Sequence, residues 1–226
     1  MTAIFVTGSG TDVGKTFVTA GLVRHWRGAG RAVAAIKPVA SGFDPGRPET
    51  SDPAVLLGAL GRSCEAAEIA RVSPWRFAAP LSPDMAAARE GRGIDFAALV
   101  EFCRKAERQD GLEPGGVLLI EGVGGIMVPL DRSHTVLDWM SALRHPVLLV
   151  AGSYVGTISH TLTALQVLVR RNLDVAAVVV SESEGSAAPL GDTVATIARF
   201  ADSIDVVALP RGGDAAAGFA KIAALL

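Results

Sequence analysis

The chain has 226 residues, half of them hydrophobic, with 21 Lys and Arg against 23 Asp and Glu and a formal net charge of -2. That balance excludes a disordered chain and a nucleic-acid binder driven by bulk positive charge, and the length suits one generous α/β domain over residues 1–226. Cys64 and Cys103 have neither CxxC spacing nor a histidine cluster beside them, which argues against a disulfide framework or structural zinc and for two reduced thiols packed in helices.

The chain opens directly into an apolar run, AIFVTG around Phe5, that reads as a strand and leaves no room for a signal peptide. No later apolar run is long and unpunctuated enough to span a bilayer, so a soluble, cytoplasmic protein with no membrane partner is expected. Directly after the first strand comes Gly8-Ser-Gly-Thr-Asp-Val-Gly-Lys-Thr16, and a helical pattern from Val13 to Arg27 follows. Phosphate binding needs converging backbone N–H groups, small residues that let the backbone approach, a positive helix end and a cation, and this segment offers all four. Lys15 is placed to reach β- and γ-phosphates and Thr16 to ligate Mg²⁺. The strict phosphate-loop spacing would put glycine where Ser9 stands; Gly8 lies one residue further back, so the loop carries an extra residue.

The next run, AVAAIKP around Ile36, leads into Lys37-Pro-Val-Ala-Ser-Gly42. Its lysine should emerge on the same sheet edge as the phosphate loop and give the site a second cation. Phe43 to Pro53 has three Pro, two Asp and a Gly and reads as an active-site loop, and Ser51-Asp52-Pro53 then reads as a helix start with Asp52 as N-cap and Pro53 at the first helical position. A helix over Phe96 to Arg108 precedes VLLIEG around Leu119. There Glu121 stands at a strand end beside Gly122-Val123-Gly124-Gly125, where ligands bind in open α/β sheets, and suits an Mg²⁺ ligand opposite Thr16. PVLLVAG around Leu149, a helix from Thr157 to Arg171, VAAVVVS around Val179, a helix from Leu190 to Phe200, VVALP around Val207 and the helical DAAAGFAKIAALL complete the chain. Near-continuous apolar strands alternating with helices predict a mainly parallel sheet flanked by helices, the P-loop NTPase architecture.

GSGTDVGKT, KPVASG, the SD of ETSDP, the LSP of APLSPDMAA, EGVGG and the GTISH of SYVGTISHT occur in the order found in dethiobiotin synthetases, which the chain resembles from residue 3 to about 181. The resemblance implies a homodimer that converts 7,8-diaminononanoate, CO₂ and ATP into dethiobiotin, ADP and phosphate. By position, Lys37 would hold a carbamate, Lys15 and Thr11 would stabilise phosphoryl and carbonyl oxygens, and Ser41 would orient the diamine. Thr16, Asp52 and Glu121 would hold Mg²⁺, while Asp12, Val13, Gly14, Lys15, Thr16, Phe17, Gly122, Val123 and Gly124 would surround the nucleotide. Gly156, Thr157, Ile158 and Ser159 start a helix whose N–H groups would bind the substrate carboxylate from the neighbouring subunit, and His160 is expected to pack or cap that helix.

The family commonly has an adenine-binding Asn where this chain has Ser181, a shorter side chain without the amide's paired donor and acceptor. Weakened base selectivity is therefore expected, with Pro210, Arg211 and Gly212 as base-side contacts. Two other readings share the phosphate loop. A cobyrinate-type amidotransferase would need a glutaminase domain for which there is no length. A partitioning-type ATPase switch would carry an early lysine in the loop, where Gly8, Ser9 and Gly10 stand. No NKxD follows a later strand, which disfavours a GTPase.

Overall fold

The apolar runs do become strands. A computed structural model of the chain describes residues 2–108, 115–212 and 215–226. In it β1 (Thr2–Gly8), β2 (Val33–Ile36), β5 (Val117–Glu121), β6 (Val147–Gly152), β7 (Val175–Ser181) and β8 (Val206–Leu209) form one sheet in the order β2-β5-β1-β6-β7-β8. Every pairing in it is parallel. Because successive side chains on a strand point to opposite faces, alternate residues belong to different layers. Phe5, Leu118, Ile120, Leu149 and Val178 pack with Trp139 and Leu165, whereas Ile4, Val6, Leu119, Leu148 and Val179 pack with Leu22, Trp26 and Phe219. Burial on both faces is why the central strands lack polar alternation, and each large side chain removed from water contributes about 2 kcal/mol.

Helix α1 (Lys15–Gly28) follows the phosphate loop, α5 is Phe96–Arg108, α7 is Thr157–Arg170, α8 is Leu190–Ala198 and α9 is Ala215–Ala224. The expected helices are thus present, α5 with the expected ends and the others with shifted ones: α1 starts two residues later because Gly14 caps it at a left-handed φ of 96°. Asp214, assigned to the last helix from sequence, lies outside the described residues.

The stretch between β2 and α5 holds structure that the apolar pattern does not reveal. It contains β3 (Val39–Ser41), a 3₁₀ turn (Pro48–Thr50), α2 (Asp52–Ala59), α3 (Ala66–Val72), β4 (Trp75–Phe77) and α4 (Pro83–Arg89). β3 and β4 pair in parallel as a separate two-stranded sheet. α6 (Val136–Leu143), capped by a reciprocal Thr135–Asp138 box, leads into β6. One cysteine departs from expectation: Cys103 is buried in α5, but Cys64 is exposed in the irregular link between α2 and α3, where the chain has left one helix and not begun the next. Among the described residues no helix is long and apolar enough to cross a membrane.

Candidate functional site

The C-terminal ends of β1, β2 and β5 bring the phosphate loop, Lys37 and Glu121 together, since β1 is hydrogen-bonded to β5 and β5 to β2. Lys15 and Lys37 are both buried, and so is Glu121, at 0% exposure. The Thr16 Oγ1–H donates to Glu121 Oε1 at 2.5 Å, and the Lys37 ammonium lies 2.6 Å from the same oxygen. Lys37 Nζ is also 2.6 Å from Asp52 Oδ2, whose side chain is 51% exposed. Glu121 Oε2 is buried and has no hydrogen-bond partner among the described residues. A phosphate-loop hydroxyl, two carboxylates and an ammonium therefore meet at one point.

Asp52 reaches this point by a route different from the one expected. Ser51, not Asp52, is the N-cap of α2: its hydroxyl accepts from the Ala54 N–H at 3.4 Å and donates to the Pro48 carbonyl at 2.6 Å. Ser and Asp cap helices about equally well, so adjacent candidates cannot be ranked from sequence. With Ser51 capping, the Asp52 carboxylate is left for Lys37.

The charges perturb one another. Burial works against the charge on Lys37, but Glu121 and Asp52 outweigh it and hold its pKa above the ordinary lysine value. Burial likewise works to raise the Asp52 carboxyl, and the Lys37 charge and hydrogen bond outweigh it, so its pKa lies below the usual carboxylate range. Lys15 goes the other way: burial, aided by the Lys37 charge, brings it down to about 8, and its Nζ–H donates to the Gly10 carbonyl at 3.1 Å. Anionic phosphates arriving at Lys15 would restore its charge, so nucleotide binding above that pKa should take up a proton. Titration calorimetry at about pH 8.5, in buffers of different ionisation enthalpy, is expected to show uptake of more than about half a proton, falling towards zero near pH 7. Heats independent of the buffer at both pH values would remove this account of Lys15.

A cleft of about 600 Å³ opens over this centre, within the range of small-molecule sites. Thr11, Asp12, Gly14, Lys15, Thr16, Phe17, Lys37, Ser41, Asp52, Val123, Gly124 and Arg211 line it, so most of the expected residues share one cavity. Val13 is buried beneath the loop. Gly125 lets the loop after β5 come close to the phosphate loop: a Cβ there would stand 3.3 Å from Gly10 Cα, a tight contact that a larger residue would have to relieve by moving one loop a few tenths of an ångström. Pro80, Leu81, Ser82, Pro83 and Val128 also line the cleft. The LSP motif carried Leu81, Ser82 and Pro83 in the sequence, but without β4 nothing said where that turn would lie.

Other expected residues lie off the cleft. Ser181 is 1% exposed, packed so close beneath Gly14 that its Oγ lies 2.6 Å from where a Cβ on that glycine would stand. Glu121 and Gly122 are not among the lining residues, and Gly122 packs against Phe5, while Pro210 and Gly212 flank the one lining residue of their group, Arg211. The Arg211 N–H and Nε–H donate to Glu182 Oε2 and the Glu182 carbonyl at 2.9 and 2.8 Å, and its guanidinium lies 5.6 Å from the Phe17 ring centre. Gly156 and Ser159 are exposed at the head of α7, while Ile158 is half-buried and Thr157 buried, its hydroxyl donating to the Gly152 carbonyl at 2.7 Å. The Thr157 N–H is taken by the Tyr154 carbonyl, and His160 Nδ1 is 2.9 Å from the Tyr154 hydroxyl. None of the four residues at this helix head lines the chain's own cleft.

A family model described as an AAA domain matches residues 2–211. The ATP-dependent dethiobiotin synthetase of Methylobacterium nodulans is 50% identical over 216 residues, 94% of this chain and 95% of that protein. The chain belongs to the dethiobiotin synthetase family. The family's enzyme from Acidiphilium cryptum is 48% identical over 88% of each chain. Among solved structures, the septum site-determining protein MinD of Pyrococcus horikoshii superposes with a TM-score of 0.55, covering 98% of this chain and 94% of that one at 15% identity. Such identity carries the fold alone, so the architecture is common to dethiobiotin synthetases and to septum-site proteins while the site residues are read within the family.

The donors at the centre suit magnesium: Thr16 Oγ1, Asp52 and Glu121 offer only oxygen, and Glu121 Oε2 has a buried lone pair to give. Among the described residues no three His, Cys, Asp or Glu side chains converge as a dedicated metal cage. Magnesium in phosphate-loop enzymes needs none, since substrate phosphates and water complete its shell.

Proposed function

We propose that this chain is an ATP-dependent cyclo-ligase that forms dethiobiotin from 7,8-diaminononanoate and CO₂, acting as a homodimer. The observation that carries the reading is the meeting of Lys15, Thr16, Lys37, Ser41 and Asp52 in one cleft, in a chain of this family. One amine of the substrate adds to CO₂ and loses a proton, giving a carbamate. A carbamate oxygen attacks the γ-phosphorus with departure of ADP, and the second amine attacks the carbonyl carbon, closing the ureido ring as phosphate leaves. Every step places negative charge on oxygen, which favours a site of cations and N–H donors over one with a strong base.

The chain's residues divide that work. Lys15 and Thr11 face the transferring phosphoryl group, the Lys37 ammonium takes the carbamate oxygen, and Ser41, whose buried hydroxyl has no hydrogen-bond partner among the described residues, orients the diamine. Thr16, Asp52 and Glu121 would hold magnesium, which would neutralise charge on the β- and γ-phosphates. The head of α7, Gly156 to Ser159, would cross to the partner's cleft and meet the substrate carboxylate, which suits the exposure of Gly156 and Ser159 and the segment's place away from its own cleft. Incubation with Mg-ATP, bicarbonate and 7,8-diaminononanoate should yield dethiobiotin by mass spectrometry. ATP turnover indifferent to the diamine would overturn the reading.

Base selectivity should be weak. Ser181 lies beneath the phosphate loop and cannot span to a base edge, and loss of a dedicated hydrogen-bonding reader removes most of the discrimination such a residue gives. kcat/KM for CTP and GTP is expected within about tenfold of that for ATP. A preference for ATP of a hundredfold or more would assign base reading to other groups.

A further inference from the structure

The centre of the site is held by a lysine. Lys37 Nζ lies 2.6 Å from both Asp52 Oδ2 and Glu121 Oε1, and Thr16 Oγ1 is bonded to that same Glu121 oxygen. These are the oxygens proposed to ligate magnesium. An ion that ligates both carboxylate oxygens directly would sit where the ammonium now sits, and the two cations could not share that position. Without any counter-ion the buried Glu121 and its neighbour Asp52 would repel one another. Glu121 Oε2, buried and unpartnered, remains ready for a second positive centre.

We infer that Lys37 is a built-in counter-ion of the divalent-cation site, and that its ammonium is released into the cleft only when a cation takes the Asp52–Glu121 pair. Nζ serves two positions in turn: it first keeps the acid pair together, then moves on its flexible stem to an anionic oxygen of the substrate. Loading of the cation thereby precedes capture of that oxygen, and a carbamate arriving early finds the lysine engaged. What Lys37 meets after moving rests on the ligase reading; the displacement itself does not.

The test follows the lysine ammonium signals of the ¹⁵N-labelled full chain by ¹H–¹⁵N NMR, with the Lys37→Met variant identifying the Lys37 signal by its loss. In EDTA, a buried, doubly paired ammonium should give a slowly exchanging signal. Adding Mg²⁺ with a non-hydrolysable ATP analogue should abolish or strongly shift it, whereas the analogue in EDTA should not. A signal unmoved at saturating Mg²⁺, one released by the analogue without metal, or no slowly exchanging signal in EDTA would each overturn the inference. As a second measurement, Mn²⁺ titration followed by electron paramagnetic resonance should show at least about tenfold tighter binding in Lys37→Met, because a positive competitor has gone. Should the variant fail to fold, selective labelling and the wild-type titration still decide the matter. Dethiobiotin formation by the same preparation reports on the ligase reading alone, so a chain that makes product while Lys37 stays in place loses only this inference.

Discussion

Glu121→Gln is expected to abolish ligation and to destabilise the protein at once. Glu121 is fully buried, and its Oε1 accepts from Thr16 and pairs with Lys37. An amide keeps the shape but removes the charge, leaving Lys37 with the half-exposed Asp52 as its remaining carboxylate partner. Removing one partner of a buried pair costs about 3 kcal/mol, which for a chain of this size lowers Tm by roughly 10 °C. Magnesium affinity in the presence of ATP should fall by more than about a hundredfold, beyond what loss of an outer-shell partner alone brings. Asp52→Asn, at the exposed end of the same triad, should cost little stability while also weakening the metal. Thermal melts and magnesium titrations of the two variants test this, and equal melting temperatures would show that Glu121 carries no special structural burden.

Lys37→Gln should separate chemistry from binding. The residue lines the cleft beside the phosphate loop but is not part of it, and Lys15 remains to hold the phosphates. ATP affinity is therefore expected to stay within a few-fold, while kcat for ring closure falls by about 10³, the loss typical of removing one group aimed at developing charge. Single-turnover assays with quantified dethiobiotin check it, and turnover near the normal rate would rule out the role given to Lys37.

The six strands of the main sheet were legible because the central ones are largely buried on both faces, and even the half-buried edge strands β2 and β8 read as apolar runs with a charged, proline or glycine stop. Lys37 and Glu121 were legible for the same reason, since each is the first charge at the end of such a run. The two-stranded sheet was not: Val39–Ser41 and Trp75–Phe77 have three residues each, too short for any period to show, and their pairing spans more than thirty residues. Losing that sheet also lost the cleft wall at Pro80 to Pro83, which follows β4. Ser181 was read correctly as a strand end, but whether its side chain faced a base or the underside of Gly14 depends on a contact between segments far apart in the chain. Local pattern therefore recovered the residues that strands deliver, and it missed those that tertiary packing turns into or away from the cleft.

The division of labour between Ser51 and Asp52 makes architecture and chemistry separable at this junction. One side chain fastens the helix and its neighbour supplies the charge, so a sequence could drift at position 52 without unravelling α2, or lose the hydroxyl at 51 without altering the electrostatics of the cleft. A single aspartate doing both tasks would have tied the two together, and any change of metal or substrate would then have had to be made at the expense of the helix.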